Sequence, residues 1–388
     1  MESTLLPITS PVISPVLKQF NSYFPALTGL RALAAYAVFW FHCNPLKPGG
    51  IPWKIVNEGY IGVTVFFVLS GFLICLRYAN RIEISREWVG KYIRNRFARI
   101  YPMYFLITGL TFLILSIDHA YDVGHQWQGQ TGVEKGLVLF LNASLLKAFF
   151  QHFIYTGISQ GWTLTVEECF YLTALFMLLG ISKSTKRYAL LALYGLGLLI
   201  IGCAIVGLVP HPFGFFESYR FMLKFTFFGH CIEFLSGMGL ALFLLKRPII
   251  AKSSSLFTWV GSIWIVIAVL ALSQITNTSN NTMESVSFIS IFINNVLLPP
   301  GIILLFYGLI HEQSWLRRLL ETPLLSLMGK SSYVFYLIHI GVISFLIDRY
   351  ISINYFIHFP LIVALSIILF HFVENPLHKR IAHSLKKA

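Results

Sequence analysis

The sequence predicts an all-α, polytopic integral membrane protein with about ten transmembrane helices. Of its 388 residues, 56% are hydrophobic and only 12% are charged, about half the charged fraction of an ordinary soluble domain. Apolar runs recur along the whole chain, and each is long enough to cross a hydrocarbon core of about 30 Å as a helix. The Lys and Arg residues concentrate between alternate runs, which is typical of cytoplasmic loops.

Ten segments fit this pattern, and they form one transmembrane domain over residues 25–376. The predicted spans are 26–43, 59–76, 101–117, 161–181, 188–209, 225–245, 257–274, 290–310, 331–347 and 357–374. Residues 1–24 lack the basic start and short apolar core of a secretory signal peptide. We therefore predict an N-terminal cytoplasmic tail there and a basic cytoplasmic tail at 377–388.

Residues 136–155 form a further apolar stretch, interrupted by Asn142, Lys147, Gln151 and His152. This stretch is compatible with an eleventh span, a re-entrant segment or an interfacial helix. An eleventh span would move all later basic loops to the outside. The charge distribution therefore favours ten spans with both termini in the cytoplasm.

The net charge and the metal-ligating residue types exclude some functions. The charge is +13, but the basic residues form no single face, so we predict no nucleic-acid partner. The five cysteines lie in or beside apolar runs without CxxC spacing, as expected for small buried residues. His230 and Glu233 lie one helical turn apart without a third ligand, so no metal site is predicted.

Four glycines are predicted helix-packing positions: Gly62, Gly71, Gly237 and Gly239.

Ionisable residues inside predicted spans are the strongest functional candidates, because each costs about 2.5–3.5 kcal/mol at mid-bilayer. They are Arg31, His42, Glu167, Glu168 and Glu233. For any one of them alone, an interhelical contact or a snorkelling side chain explains the residue equally well.

Arg31 and His42 are more informative as a pair. Eleven residues of helix make about three turns and rise about 16 Å, so both side chains share one face at different depths. In the predicted topology Glu167 and Glu168 lie near the depth of His42. A carboxylate beside an imidazole can fix its tautomer and stabilise the imidazolium, which makes an oriented general base possible.

A cluster of arginines precedes the third predicted span, in the segment RNRFAR (94–99). Charge alone explains it as a cytoplasmic basic cluster. The alternative is phosphate binding, because a guanidinium forms paired hydrogen bonds with phosphate oxygens. A phosphate site on this side would suit a donor that carries a nucleotide.

Five stretches, in order from about Leu27 to Pro376, resemble the membrane-bound acyltransferase-3 family. In the first span a basic residue and a His are separated by ten residues, as Arg31 and His42 are. The matching stretches are LTGLRALAAYAVFWFH (27–42), FFVLSGFLI (66–74), RFAR (96–99), WTLTVEECFY (162–171), in which Thr163 replaces the usual Ser, and SYVFYLIH (332–339) followed by ENP (374–376).

The resemblance implies transfer of an acyl group, usually acetyl, from a coenzyme A thioester in the cytoplasm to a hydroxyl of a glycan or lipid-linked sugar. His42 would then be catalytic with support from Glu167, and Arg31, Arg96 and Arg99 would bind the donor. Ser70, Tyr333 or backbone amides are candidates to stabilise the oxyanion. Other candidate supporting residues lie in the matching motifs: Trp162, Glu168 and His339.

For the chemistry we favour His42 as general base, because thiolate is already a competent leaving group. An acyl-imidazole intermediate is the alternative, and the sequence does not separate the two. The expected co-substrate is acetyl-CoA or another acyl-CoA, with no bound cofactor. The expected location is a cell membrane in contact with its lipids, specifically the bacterial cytoplasmic (inner) membrane.

Many members of the family carry a fused extracytoplasmic hydrolase-like domain. This chain ends twelve residues after Pro376, so we expect it to work alone, as a homo-oligomer or with a separate envelope partner. Two other functions remain open. Arg31, His42 and Glu167 could form the pathway of a transporter or flippase, although no convincing internal repeat is present. A non-catalytic scaffold is the third interpretation.

The sequence does not identify the acceptor. The predicted outer loops 118–135 and 210–224 contain aromatic and amide side chains suited to a sugar. Ordinary interfacial aromatic residues explain these loops equally well.

Overall fold

The computed structural model describes residues 23–80, 82, 85–122, 127–247, 250, 252–275 and 287–383. The described part of the chain is helical and contains no β-strand, which confirms the all-α class. Most of the two predicted tails, residues 1–22 and 384–388, lies outside the described residues.

Eighteen α-helices follow one another along the described chain, joined by short 3₁₀ turns and two π-helical turns (Ile293–Leu297 and Phe370–Glu374). They are α1 (Pro25–His42), α2 (Ile51–Val56), α3 (Ile61–Tyr78), α4 (Arg86–Ile117), α5 (Gly132–Ala143), α6 (Trp162–Lys183), α7 (Arg187–Leu208), α8 (Tyr219–Phe225), α9 (Phe227–Leu244), α10 (Leu256–Ile275), α11 (Phe288–Phe292), α12 (Leu298–His311), α13 (Trp315–Leu320), α14 (Pro323–Lys330), α15 (Ser332–Ile338), α16 (Val342–Tyr350), α17 (Tyr355–Leu369) and α18 (Asn375–His383).

Eight helical segments of the described residues are long and apolar enough to cross a membrane, and a bent pair of helices makes up to nine. Helix α1 is not among the eight. The polytopic membrane architecture is confirmed, whereas the count of ten spans and the cytoplasmic termini stay predictions. The helices differ in how much of them is buried inside the protein. In the apolar stretch of α8–α9, 72% of the residues are buried, against 22% in α7. The core therefore includes α9, and α7 lies at the periphery.

The predicted span 331–347 is wrong as one continuous helix. It consists of α15 and α16, which are bent by 68° at a short break. Gly341 lies in this break with φ +101°, a backbone conformation that glycine adopts without a Cβ penalty. A broken span leaves backbone groups to be satisfied by neighbours. Here Gln160 Nε2 donates to the carbonyl oxygens of Tyr336 at 3.0 Å and Leu337 at 2.9 Å.

Two other segments differ from simple predicted spans. The helix predicted at 101–117 begins already at Arg86, so the arginine cluster at 94–99 belongs to the same continuous helix. In the interrupted stretch 136–155, helix α5 ends at Ala143 after 12 residues. A helix of that length is about 18 Å long and too short to span the bilayer.

Glycine brings α3 and α9 into close contact. A Cβ added at Gly71 would lie 2.0 Å from the Phe234 carbonyl oxygen, and one at Gly237 would lie 2.0 Å from that of Val68. These two positions confirm the predicted close packing. The same prediction is wrong for Gly239, where a Cβ would meet nothing within 4 Å.

Glu312 satisfies the first backbone amides of α10 from outside that helix. Its carboxylate accepts hydrogen bonds from the amides of Phe257 at 3.0 Å and Thr258 at 2.8 Å, and from the Ser254 hydroxyl at 3.1 Å. A negative charge at a helix N-terminus also complements the helix dipole. This contact fixes α10 to the end of α12.

Candidate functional site

Two cavities lie at different depths along α1. The first, the arginine cavity, has a volume of about 410 Å³ and is lined by Arg31 of α1 together with side chains from α3, α4, α6 and α15. The second, the histidine cavity, has a volume of about 390 Å³ and is lined by His42 at the end of α1. Among the described residues, no side chain lines both cavities.

Two arginines of α4 face the arginine cavity because they lie three residues apart on one side of the helix. The Arg96 guanidinium lies over the Tyr171 ring at 5.2 Å. The Arg99 guanidinium lies over the Tyr333 ring at 5.4 Å and donates to Glu374 Oε1 at 2.7 Å. These contacts fix the planes of both guanidinium groups.

Arg31 and Arg77 add two more guanidinium groups to the same cavity. In the part of the chain that the structure describes, no carboxylate forms an ion pair with Arg31, Arg77 or Arg96. Arg94 does not line the cavity. The cavity thus presents several arginines without a described ion pair, which is the donor set that phosphate groups need.

Glu167 also lines the arginine cavity and not the histidine cavity. Its Oε1 accepts hydrogen bonds from Ser70 Oγ at 2.8 Å and from the Tyr171 hydroxyl, one turn further along α6. The sequence allowed Glu167 to lie beside His42, but in the structure its carboxylate turns towards Ser70 of α3. Whether Glu167 acts in catalysis stays a prediction.

The side chain of His42 is exposed to the histidine cavity. Aromatic residues dominate the wall, including Trp127, Tyr155 and Tyr355, and Asp348 supplies a carboxylate. Of the two loops predicted to face the acceptor, 118–135 contributes to the described lining and 210–224 does not.

His339 lies between the two cavities. Its ring centroid is 5.4 Å from that of His42 and 5.4 Å from that of Tyr336, which lines the arginine cavity. His339 Nδ1 is 2.8 Å from the Tyr336 carbonyl oxygen. Because a carbonyl only accepts, Nδ1 carries the proton and Nε2 carries a lone pair. Nε2 is buried and has no described hydrogen-bond partner.

The remaining predicted supporting residues divide between the cavity and the helix interfaces. Ser70 and Tyr333 line the arginine cavity, and the Tyr333 hydroxyl donates to the Ile100 carbonyl oxygen at 2.7 Å. Glu168 and Trp162 line neither cavity. The Trp162 ring packs on Phe225 at 4.9 Å.

Several site residues were not among the predicted ones: Tyr171, Tyr336, Asp348 and Glu374. Glu374 is an acidic residue at the end of a predicted span, which is the signal that selected Glu167. Tyr171 lies one turn after Glu167 on the same helix face. Asp348 lies just beyond the predicted span 331–347, so only the bend after α15 brings it to the cavity.

No group of three metal-ligating side chains occurs among the described residues. His230 has both ring nitrogens engaged, Nδ1 at 3.0 Å from Glu233 Oε2 and Nε2 at 2.7 Å from the Lys224 carbonyl oxygen. The five cysteines are free thiols.

The sequence profile of the acyltransferase-3 family, described as an acyltransferase domain, matches residues 24–372. The chain belongs to the acyltransferase-3 family. The match includes His42, the arginines of α4 and the described lining of both cavities apart from His378, so both cavities belong to an acyltransferase domain.

Curated relatives carry related names. A protein of Staphylococcus aureus (strain COL), provisionally named an O-acetyltransferase, is 24% identical over 381 residues, covering 92% of this chain and 58% of the relative. The O-acetyltransferase OatA of S. aureus (strain NCTC 8325 / PS 47) is 23% identical over 387 residues, with the same shares.

A provisionally named acetyltransferase of Acidianus two-tailed virus is 25% identical over 323 residues, covering 80% of this chain and 86% of the relative. The chain thus spans somewhat more than half the length of the staphylococcal relatives. No solved structure matches it.

Proposed function

We propose that this protein is an integral-membrane O-acyltransferase, which moves an acyl group from acyl-CoA to a hydroxyl of a glycan or lipid-linked sugar. The observation that carries the proposal is the pair of cavities along α1, one with several arginines and the other with an accessible imidazole. Family membership supports the reaction class. The names of the relatives support acetyl as the acyl group.

The arginine cavity suits the donor. Coenzyme A carries several phosphate groups, and Arg31 and Arg96 form no ion pair with a carboxylate among the described residues. Arg99 is oriented by Glu374 and retains further N–H groups. The donor is a co-substrate in this proposal, and no resident cofactor is needed.

The histidine cavity suits the acceptor. In the proposed reaction His42 removes the proton of the acceptor hydroxyl while the oxygen attacks the thioester carbonyl carbon. The new carbon–oxygen bond forms, the carbon–sulfur bond breaks, and coenzyme A leaves as a thiolate that takes up a proton. The unpaired Nε2 of His339 supports this role, because it can accept a hydrogen bond from one ring nitrogen of His42. The other ring nitrogen of His42 is then free to act as the base.

The thioester has to pass Tyr336 and His339 to meet the acceptor, because the cavities share no described lining residue. Both side chains belong to α15 or to the break that follows it. A broken helix at this point supports local movement of these side chains, with Gly341 as the residue that absorbs the backbone change.

The cellular setting follows the predicted topology. The donor enters from the cytoplasm, the acceptor meets it from the outer side, and the membrane is the bacterial cytoplasmic membrane. In this proposal a separate envelope partner or a second copy of the chain takes part in delivery to the final acceptor.

The test uses purified full-length protein in lipid nanodiscs with radiolabelled acetyl-CoA and a panel of sugars. We expect labelled sugar ester with the wild type and none with His42→Ala. His371→Ala is the matched control, because His371 is exposed and lines neither cavity. Sugar movement across proteoliposomes without covalent change would instead support a transporter.

A further inference from the structure

The histidine cavity contains two carboxylates with different surroundings. Asp122 is buried, and its Oδ2 already accepts the backbone amides of Trp127 at 3.1 Å and Gln128 at 2.7 Å. One oxygen of the Asp122 carboxylate is therefore already used in hydrogen bonds to nearby backbone amides. Asp348, in contrast, has a side chain that is 38% exposed, and no described backbone amide donates to it.

His358 lies within ion-pair distance of Asp348. The distance from Asp348 Oδ1 to His358 Nδ1 is 3.5 Å. His358 is completely buried, and its two ring nitrogens and Asp348 Oδ1 have no described hydrogen-bond partner. The ring of Tyr355 lies nearly parallel to that of His358, at 6.3 Å. The Asp348 carboxylate thus lies between a buried imidazole at ion-pair distance and the histidine cavity, and no described hydrogen bond occupies either of its oxygens.

The charge around Asp348 selects the chemistry of its ligand. The described lining of the histidine cavity contains no Lys or Arg. A carboxylate accepts hydrogen bonds and repels anions. It therefore favours hydroxyl or amide donors over phosphate or carboxylate groups, and the aromatic rings of Trp127 and Tyr355 offer apolar faces beside it.

We propose that Asp348 is an acceptor-binding residue that takes hydrogen bonds from hydroxyl groups of an uncharged sugar unit, next to the hydroxyl that His42 deprotonates. This inference rests on the proposed acyltransferase function. It adds that the acceptor is uncharged at this site. It also makes Asp348, and not Glu167, the carboxylate that shares a cavity with His42.

The experiment compares wild type, Asp348→Asn and Asp348→Glu, each full-length in nanodiscs, with acetyl-CoA as donor. The acceptors are methyl glycosides of glucose, galactose and N-acetylglucosamine and the 6-phosphates of the same compounds. Release of CoA without sugar, in which water takes the acyl group, measures use of the donor independently of the sugar site. Asp118→Asn is the matched control, because Asp118 pairs with Arg349 and does not line the cavity.

We expect Asp348→Asn to raise the KM for neutral glycosides about tenfold or more, as for a lost hydrogen bond to a charged group. Its CoA release without sugar should stay at the wild-type rate. The preference for a neutral glycoside over its 6-phosphate should shrink in Asp348→Asn and persist in Asp348→Glu and Asp118→Asn.

Three results would overturn the assignment. They are an unchanged KM in Asp348→Asn, a wild-type preference for the 6-phosphates, and CoA release by the wild type without transfer to any sugar. A wild type that releases no CoA under any condition contradicts the acyltransferase function itself, so the two failures are distinguishable.

Discussion

The ring of His339 lies 5.4 Å from that of His42, and its unprotonated Nε2 has no described hydrogen-bond partner. Two imidazoles, rather than an imidazole and a carboxylate, therefore meet between the cavities. The Tyr336 carbonyl oxygen fixes the tautomer of His339, and Gln160 donates to the same oxygen. If His42 donates to His339 Nε2 in the proposed reaction, its orientation depends on the broken helix.

His339→Leu removes the acceptor for the His42 N–H, and we expect kcat to fall about tenfold, as for one lost hydrogen bond. The KM for acetyl-CoA should stay unchanged, because His339 does not line the arginine cavity. His339→Asn keeps an acceptor oxygen and should recover most of the rate. Equal loss in the Leu and Asn variants, measured by steady-state kinetics, would contradict this role.

Glu167→Gln tests the separation of the two cavities. Glu167 contacts Ser70 and Tyr171, so we expect its loss to raise the KM for acetyl-CoA several-fold. The pH at which activity is half-maximal should stay where it is in the wild type. If that pH shifts in Glu167→Gln, the carboxylate acts on the catalytic imidazole after all.

Arg96→Lys keeps the charge but loses the planar guanidinium that lies over the rings of Tyr171 and Tyr78. We expect the KM for acetyl-CoA to rise about tenfold, equivalent to about 1.4 kcal/mol. Arg94→Lys is the control on the same helix, because Arg94 lies outside the cavity. Equal effects of the two substitutions would indicate a general role of charge at this surface.

Much of the fold was predictable, because apolar length identifies membrane helices from local sequence alone. The break between α15 and α16 was not, since its carbonyl oxygens are satisfied by Gln160, a residue distant in the sequence. The same holds for the site. The arginines of α4 were predicted from their clustered charge and from the family resemblance, whereas depth matching allowed a His42–Glu167 pair without information on which way the carboxylate turns.

Gly71→Ala should destabilise the contact of α3 with α9, because the new Cβ would lie 2.0 Å from a backbone oxygen. We expect a loss of about 3 kcal/mol or more, at the upper end for overpacked sites. Gly239→Ala introduces the same methyl group into open space and should leave the melting temperature unchanged. Thermal unfolding in detergent, followed by tryptophan fluorescence, compares the two variants.

Glu312→Gln should lower the free energy of unfolding by about 1.5–3 kcal/mol at pH 7, the range for hydrogen bonds to a charged group. Burial raises the pKa of Glu312, but hydrogen bonds from the Thr258 and Phe257 amides outweigh burial and leave the pKa below its ordinary value. The carboxylate therefore contributes stability above the unfolded pKa of about 4.3 and loses it as the pH falls further.

The difference between wild type and Glu312→Gln should accordingly shrink as the melting temperature is measured at pH values progressively below the unfolded pKa of about 4.3, because the wild-type carboxyl takes up its proton in acid. Glu321→Gln is the control, because Glu321 forms an ion pair with Arg317 at the surface. A surface pair contributes about 0–1 kcal/mol. A difference that grows in acid would show that Glu312 is already neutral in the native protein.

Tyr336 and His339 lie between the arginine cavity and the histidine cavity and separate them. An open channel from one side of the bilayer to the other would let protons and small ions run down their gradients. In the proposed reaction, keeping the arginine and histidine cavities apart except during transfer would let an acyl group cross the bilayer while the membrane stays impermeable to ions.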